Sequence, residues 1–472
     1  MAFGWSLHGD GRTPPPGEVV RPDERLSWTR TVGIGAQHVV AMFGATFVFP
    51  IVMGLDPNLA IMMSGIATIL FLIIVGGRVP SYLGTSASFV GAVVSIRAAG
   101  GSTANVTGAI LIAGLVLAAV GLLIHFLGAS VIHAVFPPVV TGAVVMLIGF
   151  NLAPVVATVY WPQDQWVALL TLGFVVVCSV LLRGFWSRIA ILLGLVFGFG
   201  LSWILDKTAG KITSVQPGQH LVNGVATPFP HFRVNFDAVK GADWFGFPNL
   251  HAPDFKTSAI LVALPAVIAL IAENTGHVKA VAAMTGDDLD PVLGRAIAAD
   301  GIGTVLASAV GGSPTTTYAE NIGVMAATRI YSTAAYYVAA LVAILFGLCP
   351  KFGALVAATP GGVLGGITVV LYGMIGLLGA KIWIENRVDF ADPVNLVPVA
   401  AGIILAIGNV TLQITDKFPL SGIALGTLAL LIGYHALNAL SRARPAPADT
   451  GGGVIAPEEK EIGGPVRPAT TD

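Results

Sequence analysis

Long stretches without Asp, Glu, Lys or Arg alternate with short polar breaks along almost the whole chain. Examples run from residue 31 to 55, from 189 to 205 and from 418 to 441. A helix needs roughly 20 apolar residues to cross a bilayer, with a range near 17–25. The full set of stretches predicts roughly 12 complete spans and two short or broken ones, which makes about 14. The pattern therefore predicts an all-α polytopic membrane protein.

Two of these stretches are rich in Ser, Thr, Gly and Pro, which makes them poor uninterrupted helices. They cover residues 80–89 in the third predicted span and residues 311–322 in the tenth. The run Thr315-Thr316-Thr317-Tyr318 favours an extended conformation. Extended backbone at membrane depth is tolerated only where it is buried in protein or lines a cavity. We therefore expect short extended segments in both spans, with free N–H groups that face a ligand.

One long polar insertion divides the hydrophobic mass into two nearly equal halves. We predict a cytoplasmic N-terminal tail over residues 1–28 and a first seven-span repeat over 29–205. An extracytoplasmic loop over 206–257 and a second seven-span repeat over 258–440 follow. Residues 441–472 contain Pro, Gly and Glu, a composition that predicts a disordered cytoplasmic C-terminal tail.

Two local sequence matches connect the halves. Residues 85–91 align with 317–323, and residues 142–149 align with 366–373, at offsets of 232 and 224 residues. Seven spans per half is an odd number, so the second copy must be inverted in the membrane. Inverted repeats are typical of secondary transporters, whose substrate sites lie near the bilayer midplane on paired, interrupted segments.

Composition and charge exclude other classes of protein. Charged residues make up 10% of the chain and the net charge is −1, which leaves no basic patch for nucleic acid. Two cysteines exclude a disulfide scaffold and a cysteine-ligated metal site. We find no metal cluster and no nucleophile–base pair with sensible spacing, so we do not expect an enzyme.

The distribution of positive charge predicts the orientation. With an even number of spans both termini lie on one side, and that side receives 16 of the 24 Lys and Arg residues. Cytoplasmic loops carry the excess of positive charge. We therefore expect a multi-pass protein of the cell (inner) membrane with both termini cytoplasmic. The first 28 residues contain no apolar segment typical of a signal peptide.

Few ionisable residues fall inside the predicted spans, and such residues by default mark a substrate or proton pathway. Glu273 and Glu320 lie within the apolar mass, and His277 follows Glu273 by one helical turn. His38 lies mid-span, where we favour a structural hydrogen-bonding role over a ligand. Asp300 begins a charge-free run, and we place it near the cytoplasmic edge of the membrane.

Plainer interpretations of three of these residues stay open at this point. Glu273 and His277 are also compatible with an interfacial helix end, and Glu320 with a structural ion pair to Arg329. If Glu273 and Glu320 are instead protonated, each can donate as well as accept a hydrogen bond. Two such groups with backbone N–H groups between them suit a flat, neutral ring with alternating N–H and C=O edges. An anion would call for Arg or Lys, and neither broken segment contains one.

At these residues the chain resembles the nucleobase–ascorbate transporter family, also called nucleobase/cation symporter family 2. The signature of that family is an acidic residue or Gln, then Asn-x-Gly, then Thr-Arg. It stands here as Glu320, Asn321, Gly323, Thr328 and Arg329. Glu rather than Gln at the first position, preceded by Tyr-Ala, is similar to bacterial uracil permeases.

Further motifs extend the resemblance to about residues 30–440. Gln37-His38 resembles the first span of the family, and Ala272-Glu273-Asn274-Thr275-Gly276-His277 resembles the eighth. The resemblance implies a 14-span fold of two inverted seven-span repeats, divided into a core and a gate domain. It also implies import of uracil or a related nucleobase by proton symport, elevator-like movement, a homodimer, and no cofactor.

The resemblance also assigns roles to single residues. Glu273 and Glu320 would hydrogen-bond the pyrimidine, and the N–H groups of Ala87 and Ala319 would bond its carbonyl edge. Tyr318 would lie beside the ring. His277 would act through water or by organising Glu273, so that Glu273, His277 and Glu320 couple transport to protons. His38 and the remaining signature residues would be structural.

One departure from the uracil permeases leaves the substrate open. Where they carry a bulky aromatic residue in the first broken segment, this chain has Ala87, and the neighbouring Phe89 is the candidate to compensate. A roomier pocket keeps thymine and purines such as xanthine as alternatives, and coupling to sodium also stays open. A sulfate-type anion transporter sharing the fold is less favoured because the site lacks a basic residue. A channel or receptor is the alternative from a different class.

Overall fold

The computed structural model describes residues 4–12, 14, 17–128, 130–183, 185–216, 220–222, 225–415 and 418–443. Most of these residues are helical. The predicted C-terminal tail, 441–472, lies outside the described residues apart from its first three positions.

The first half of the chain is mainly helical, with two short strands before the first long helix and a third strand after the second helix. A 3-10 turn (Ala87–Phe89) follows the third strand, and a π-helical turn (Val156–Tyr160) and a second 3-10 turn (Trp161–Gln163) precede the helix that begins at Gln165. The elements are β1 (Ser6–Leu7), β2 (Glu24–Arg25), α1 (Trp28–Met53), α2 (Pro57–Ile74), β3 (Leu83–Thr85), α3 (Val90–Ala98), α4 (Thr103–Leu127), α5 (Ser130–Val135), α6 (Pro138–Phe150), α7 (Ala153–Val155), α8 (Gln165–Leu181), α9 (Phe185–Arg188) and α10 (Ala190–Thr208).

The described part of the polar insertion contains strands of its own. It contains β4 (Ile212–Ser214), β5 (Leu221–Val222), β6 (Val225–Ala226), β7 (Phe229–His231) and α11 (Asp237–Gly241), with β4 paired to β7 and β5 to β6. Arg233 ties the segment to the helices, because its guanidinium forms ion pairs with Asp164 at 2.7 Å and Asp206 at 3.2 Å.

The second half is also mainly helical, with one short strand between two of its helices and a pair of strands before the last helix. Its elements are α12 (Thr257–Ala263), α13 (Ala266–Thr285), α14 (Asp290–Ala309), β8 (Thr315–Thr317), α15 (Ala319–Thr328), α16 (Thr333–Gly347), α17 (Pro350–Ala357), α18 (Gly361–Glu385), α19 (Pro393–Ile407), β9 (Thr411–Thr415), β10 (Phe418–Ser421) and α20 (Gly422–Ala443).

The helices are long and apolar enough for a multi-pass membrane protein. Within the described residues, nine helical stretches meet the length and hydropathy of a membrane span, and α16 with α17, bent by 83°, makes a tenth. Three shorter apolar helices cover residues 87–97, α8 and α19. The prediction of a predominantly helical, polytopic chain is therefore confirmed.

Polar residues at the helix ends fix where several spans begin. The Asp56 side chain accepts hydrogen bonds from two backbone N–H groups in the first turn of α2, and Pro57 occupies the first helical position. Asp164 at the start of α8 and Asp392 at the start of α19 each accept a hydrogen bond from one backbone N–H group. Such caps satisfy N–H groups that lack a partner inside the helix.

Glycines allow the helices to pack at close range. A Cβ atom on Gly301 of α14 would collide with the backbone of α4 at Ala118. One on Gly149 of α6 would collide with the backbone of α18 at Gly376. Small residues at such crossings are typical of membrane helices, where close van der Waals packing drives association.

The two short strands β3 and β8 meet in the middle of the molecule. They pair in antiparallel register, with Leu83 opposite Thr317 and Thr85 opposite Thr315. Every residue of both strands is buried. This confirms the extended segments predicted in the third and tenth spans, and their pairing satisfies backbone groups that lipid could not.

The N-terminal segment lies against the helices. Val20 forms backbone hydrogen bonds with Arg329 and Tyr331, in the connection that follows α15. The Trp5 indole donates to Thr333 Oγ1 at 2.8 Å, and Arg21 pairs with Asp287 beyond the end of α13. The segment therefore connects the ends of α13 and α15.

Candidate functional site

A cavity of about 560 Å³ opens where β3 and β8 meet. Its polar wall comes from the β3 and β8 segments together with α13 and α15. The rest of the lining is mainly apolar and comes from α1, α6 and α18. The apolar lining comprises Ala45, Phe49, Val145, Ile148, Ile375 and Leu378.

In each broken segment, the chain is partly exposed to the cavity just after the strand. Within residues 81–90, all of them described, Ala87 is the residue that is not buried. Within residues 311–320, also fully described, Ala319 and Glu320 are not buried. Ala87 and Ala319 each begin a helical turn, where N–H groups have no partner inside the helix. The structure thus presents two sets of backbone donors to one cavity.

Two carboxyl groups face the same space. Glu273 lies on α13 and accepts a hydrogen bond of 3.3 Å from Ser88 Oγ, while Glu320 lies in the first turn of α15. Both line the cavity and both are partly buried. Among the described residues neither forms an ion pair with Lys or Arg, so the alternative of a Glu320–Arg329 pair has no support in this geometry.

Tyr318 joins the two broken segments beside the cavity. Its hydroxyl donates to the carbonyl of Thr85 at 2.8 Å and accepts from Thr46 Oγ1 at 3.3 Å. Gly84 leaves room for the tyrosine ring, which a Cβ atom there would strike. Tyr318 also lines the cavity, so the ring lies beside the space where a ligand would bind.

Sequence reasoning missed a polar cluster behind this wall. His277 Nδ1 lies 2.8 Å from Thr317 Oγ1, which in turn donates to Asn274 Oδ1 at 3.1 Å. Asn274 Nδ2 donates to Asp300 Oδ2 at 2.6 Å. Asp300, which we expected near the membrane edge, is fully buried midway along α14. The position of Asp300 in the sequence already indicated such a cluster, because a carboxylate inside an apolar run needs a buried hydrogen-bonding partner.

The remaining predicted residues lie outside the cavity wall, with one exception. Phe89 is fully buried in the hydrophobic core and is not among the lining residues. His38 is also fully buried, and Asn321 Nδ2 donates to its backbone carbonyl at 3.0 Å. Gly323 lines the cavity. Thr328 and Arg329 end α15 away from it.

The cavity extends along α18 to an ion pair. Lys381 Nζ and Glu385 Oε1 are 3.5 Å apart, and both side chains are more than half exposed. Both line the outer part of the cavity, so this end is its polar mouth. In the described part of the chain, no group of three His, Cys, Asp or Glu residues could hold a metal ion.

Paired broken segments, a buried polar cavity between them and surrounding apolar helices define a membrane permease. Residues 29–415 match the model of the Permease family Xan_ur_permease. The chain belongs to this family, the nucleobase–ascorbate transporters.

Curated relatives match over most of their length. The chain is 44% identical to the putative pyrimidine permease RutG of Escherichia coli K12, over 89% of this chain and 92% of that protein. It is 34% identical to the uracil permease of Bacillus subtilis 168, over 90% of this chain and 95% of that protein.

Solved structures share the fold. Murine Slc26a9, an anion transporter in the inward-facing state, matches with a TM-score of 0.64 at 12% identity, over 90% of this chain and 70% of that one. The transmembrane domain of the cyanobacterial bicarbonate transporter BicA matches with a TM-score of 0.54 at 16% identity, over 86% of this chain and 96% of that one.

Proposed function

We propose that this protein is a proton-coupled symporter that imports uracil or a closely related nucleobase. The observation that carries the proposal is the convergence of two carboxyl groups, Glu273 and Glu320, with the helix starts at Ala87 and Ala319 around one cavity. Carboxyl groups and backbone N–H groups together match the alternating donors and acceptors of a pyrimidine edge. The relatives include a putative pyrimidine permease and a uracil permease, which points to the same substrate class.

Proton coupling follows from the cost of charge inside a membrane. Glu273 and Glu320 line the same cavity, so their ionised forms repel each other. Binding of a proton and a neutral base removes charge from the site. The loaded site can then move without carrying an unpaired carboxylate through a low-dielectric region.

The architecture we propose has fourteen spans in two inverted repeats. Counting the bent pair, the three shorter apolar helices and α15 with the nine long stretches gives this number.

Each strand is held by a threonine from the preceding helix. Thr68 Oγ1 accepts from the N–H of Leu83 at 2.9 Å, and Thr304 Oγ1 accepts from that of Thr315 at 3.0 Å. These matching contacts support a repeat of α2–β3–α3 in α14–β8–α15.

In this architecture the polar wall belongs to a core domain, and the apolar lining from α6 and α18 belongs to a gate domain. The core contains the β3–β8 pair with α13 and α15, and the gate contains α6 and α18. An elevator-like movement would slide the core along the apolar gate wall. The cavity mouth at Lys381 would be cytoplasmic, both termini would lie in the cytoplasm of a homodimer in the inner membrane, and the insertion 206–257 would be extracytoplasmic.

Anion transport is the alternative that the fold raises, because the structural neighbours carry anions. The lining of this cavity argues against it. The described lining residues include two inner carboxyl groups and one lysine, and that lysine pairs with Glu385 at the mouth. An anion would meet repulsion from both carboxylates. A larger base such as xanthine fits better, since Ala87 leaves space.

A competition panel tests the proposed function. Uptake of radiolabelled uracil is measured in cells that lack their own uracil transport, with excess thymine, xanthine, hypoxanthine or ascorbate, and with a protonophore. We expect uracil and thymine to compete and the protonophore to abolish accumulation. If only a purine inhibits saturable uptake, the substrate assignment changes to a purine. If there is no saturable uptake, the proposed function is refuted.

A further inference from the structure

The hydrogen bonds behind the cavity wall have a fixed direction. Asp300 is fully buried, and Asn274 Nδ2 donates both to its Oδ2 at 2.6 Å and to the backbone carbonyl of Leu270 at 3.0 Å. Both partners accept a hydrogen bond here, so the amide nitrogen of Asn274 must face them. Its oxygen, Oδ1, therefore faces the opposite way, toward Thr317.

The orientation of the Asn274 amide determines which ring nitrogen of His277 carries the hydrogen. Thr317 Oγ1 donates its one hydrogen to Asn274 Oδ1 at 3.1 Å. That hydroxyl can then only accept from the imidazole Nδ1, which lies 2.8 Å away. The neutral imidazole must carry its hydrogen on Nδ1. Nε2 is left with a lone pair, which can accept a hydrogen bond.

We propose that Asp300, Asn274 and Thr317 are positioning residues that hold His277 in the Nδ1–H tautomer. His277 lines the cavity, so its Nε2 presents an acceptor to the ligand. This inference rests on the proposed function for the nature of that ligand. The acceptor selects a ring that offers an N–H at this point, and a ring that offers only a carbonyl there is disfavoured.

Nitrogen NMR on the purified full-length protein, labelled with ¹⁵N-histidine and free of ligand, reads the tautomer directly. The resonances of His277 are assigned by their loss in His277→Gln. We expect wild-type His277 as the Nδ1–H form. Thr317→Val removes the acceptor for Nδ1 while keeping the branched shape, and it should shift the population toward the Nε2–H form. Thr317→Ser keeps the hydroxyl and should keep the wild-type tautomer.

Binding provides a second measurement on the same variants. Loss of one hydrogen bond should weaken uracil binding roughly two- to tenfold in Thr317→Val, with wild-type affinity in Thr317→Ser. If Thr317→Val does not fold, Asn274→Leu tests the tautomer instead. It leaves the Thr317 hydroxyl free to donate to Nδ1, which should produce the Nε2–H form. A wild-type Nε2–H form overturns the inference, and so does an unchanged tautomer in the folded valine or leucine variant.

The two hypotheses fail in different ways. An Nδ1–H tautomer in a protein that binds no nucleobase would contradict the proposed function and leave the positioning roles intact. Uracil binding by a protein whose His277 is in the Nε2–H form would contradict the positioning roles and leave the proposed function intact.

Discussion

Tyr318 donates a hydrogen bond of 2.8 Å to the backbone carbonyl of Thr85, so the second broken segment is fastened to the first. The two residues are 233 positions apart in the chain. The contact places the tyrosine ring in the cavity wall and keeps the two helix starts facing one another. Cavity and fold therefore depend on the same hydroxyl group.

Tyr318→Phe should lower stability and weaken ligand binding together. The substitution leaves the carbonyl of Thr85 and the hydroxyl of Thr46 without this partner in a buried setting, at a cost of about 1–3 kcal/mol. Thermal unfolding in detergent and equilibrium binding of uracil measure the two effects. Tyr434→Phe, on a partly exposed residue of α20, is the matched control, and an equal effect there would contradict the account.

Glu273→Gln and Glu320→Gln should each reduce uracil uptake at least tenfold, about 1.4 kcal/mol or more. Each keeps the size of the side chain but removes the exchangeable proton and one acceptor. Uptake is measured at matched expression in the membrane. Glu18→Gln, on a side chain with 61% exposure, should transport normally. Near-normal, proton-driven uptake by both cavity variants would exclude the proposed mechanism.

Ala87→Phe should narrow the cavity and sharpen selectivity. A benzyl group in place of this methyl group fills space beside the helix start, so larger bases should lose more affinity than uracil. Inhibition constants for uracil, thymine and xanthine, measured by competition, test this. Ala400→Phe, on an exposed position of α19, controls for added bulk. Equal losses for all three bases would show that position 87 does not set selectivity.

Arg233→Met should destabilise the protein by about 3 kcal/mol, because breaking a buried ion pair leaves its partners uncompensated. The arginine side chain is 12% exposed and both aspartates are 8% exposed. Thermal unfolding of purified protein measures the change. Lys240→Met removes a lysine that is 77% exposed and also paired with an aspartate, and it should have little effect. Similar stability of both variants would mean that Arg233 does not anchor the insertion.

The sequence predicted the features that depend on local composition. Charge-free runs located the helices, and the Thr-rich run ending at Tyr318 indicated the extended segment that the structure shows as β8. Glu273 and Glu320 stood out because charge is rare in an apolar chain, and both line the cavity.

Local patterns along the chain misplaced or missed several features that depend on long-range packing. The depth of Asp300 is set by Asn274, which lies on another helix, so counting residues from the nearest charge placed it wrongly. Phe89 is close to Ala87 in the chain, but the 3-10 turn directs its ring into the hydrophobic core. The contacts of Val20 with the end of α15 come from strand-like backbone pairing that no local pattern indicates.

In the proposed mechanism, uracil and protons move together through a site built on two carboxyl groups. The most direct measurement uses purified protein in liposomes, with an imposed inward proton gradient and no sodium, and follows internal radiolabelled uracil over time. We expect accumulation above equilibrium that a protonophore collapses and that Glu320→Gln does not show. Equilibration to the external concentration alone, unchanged by the gradient, would contradict it.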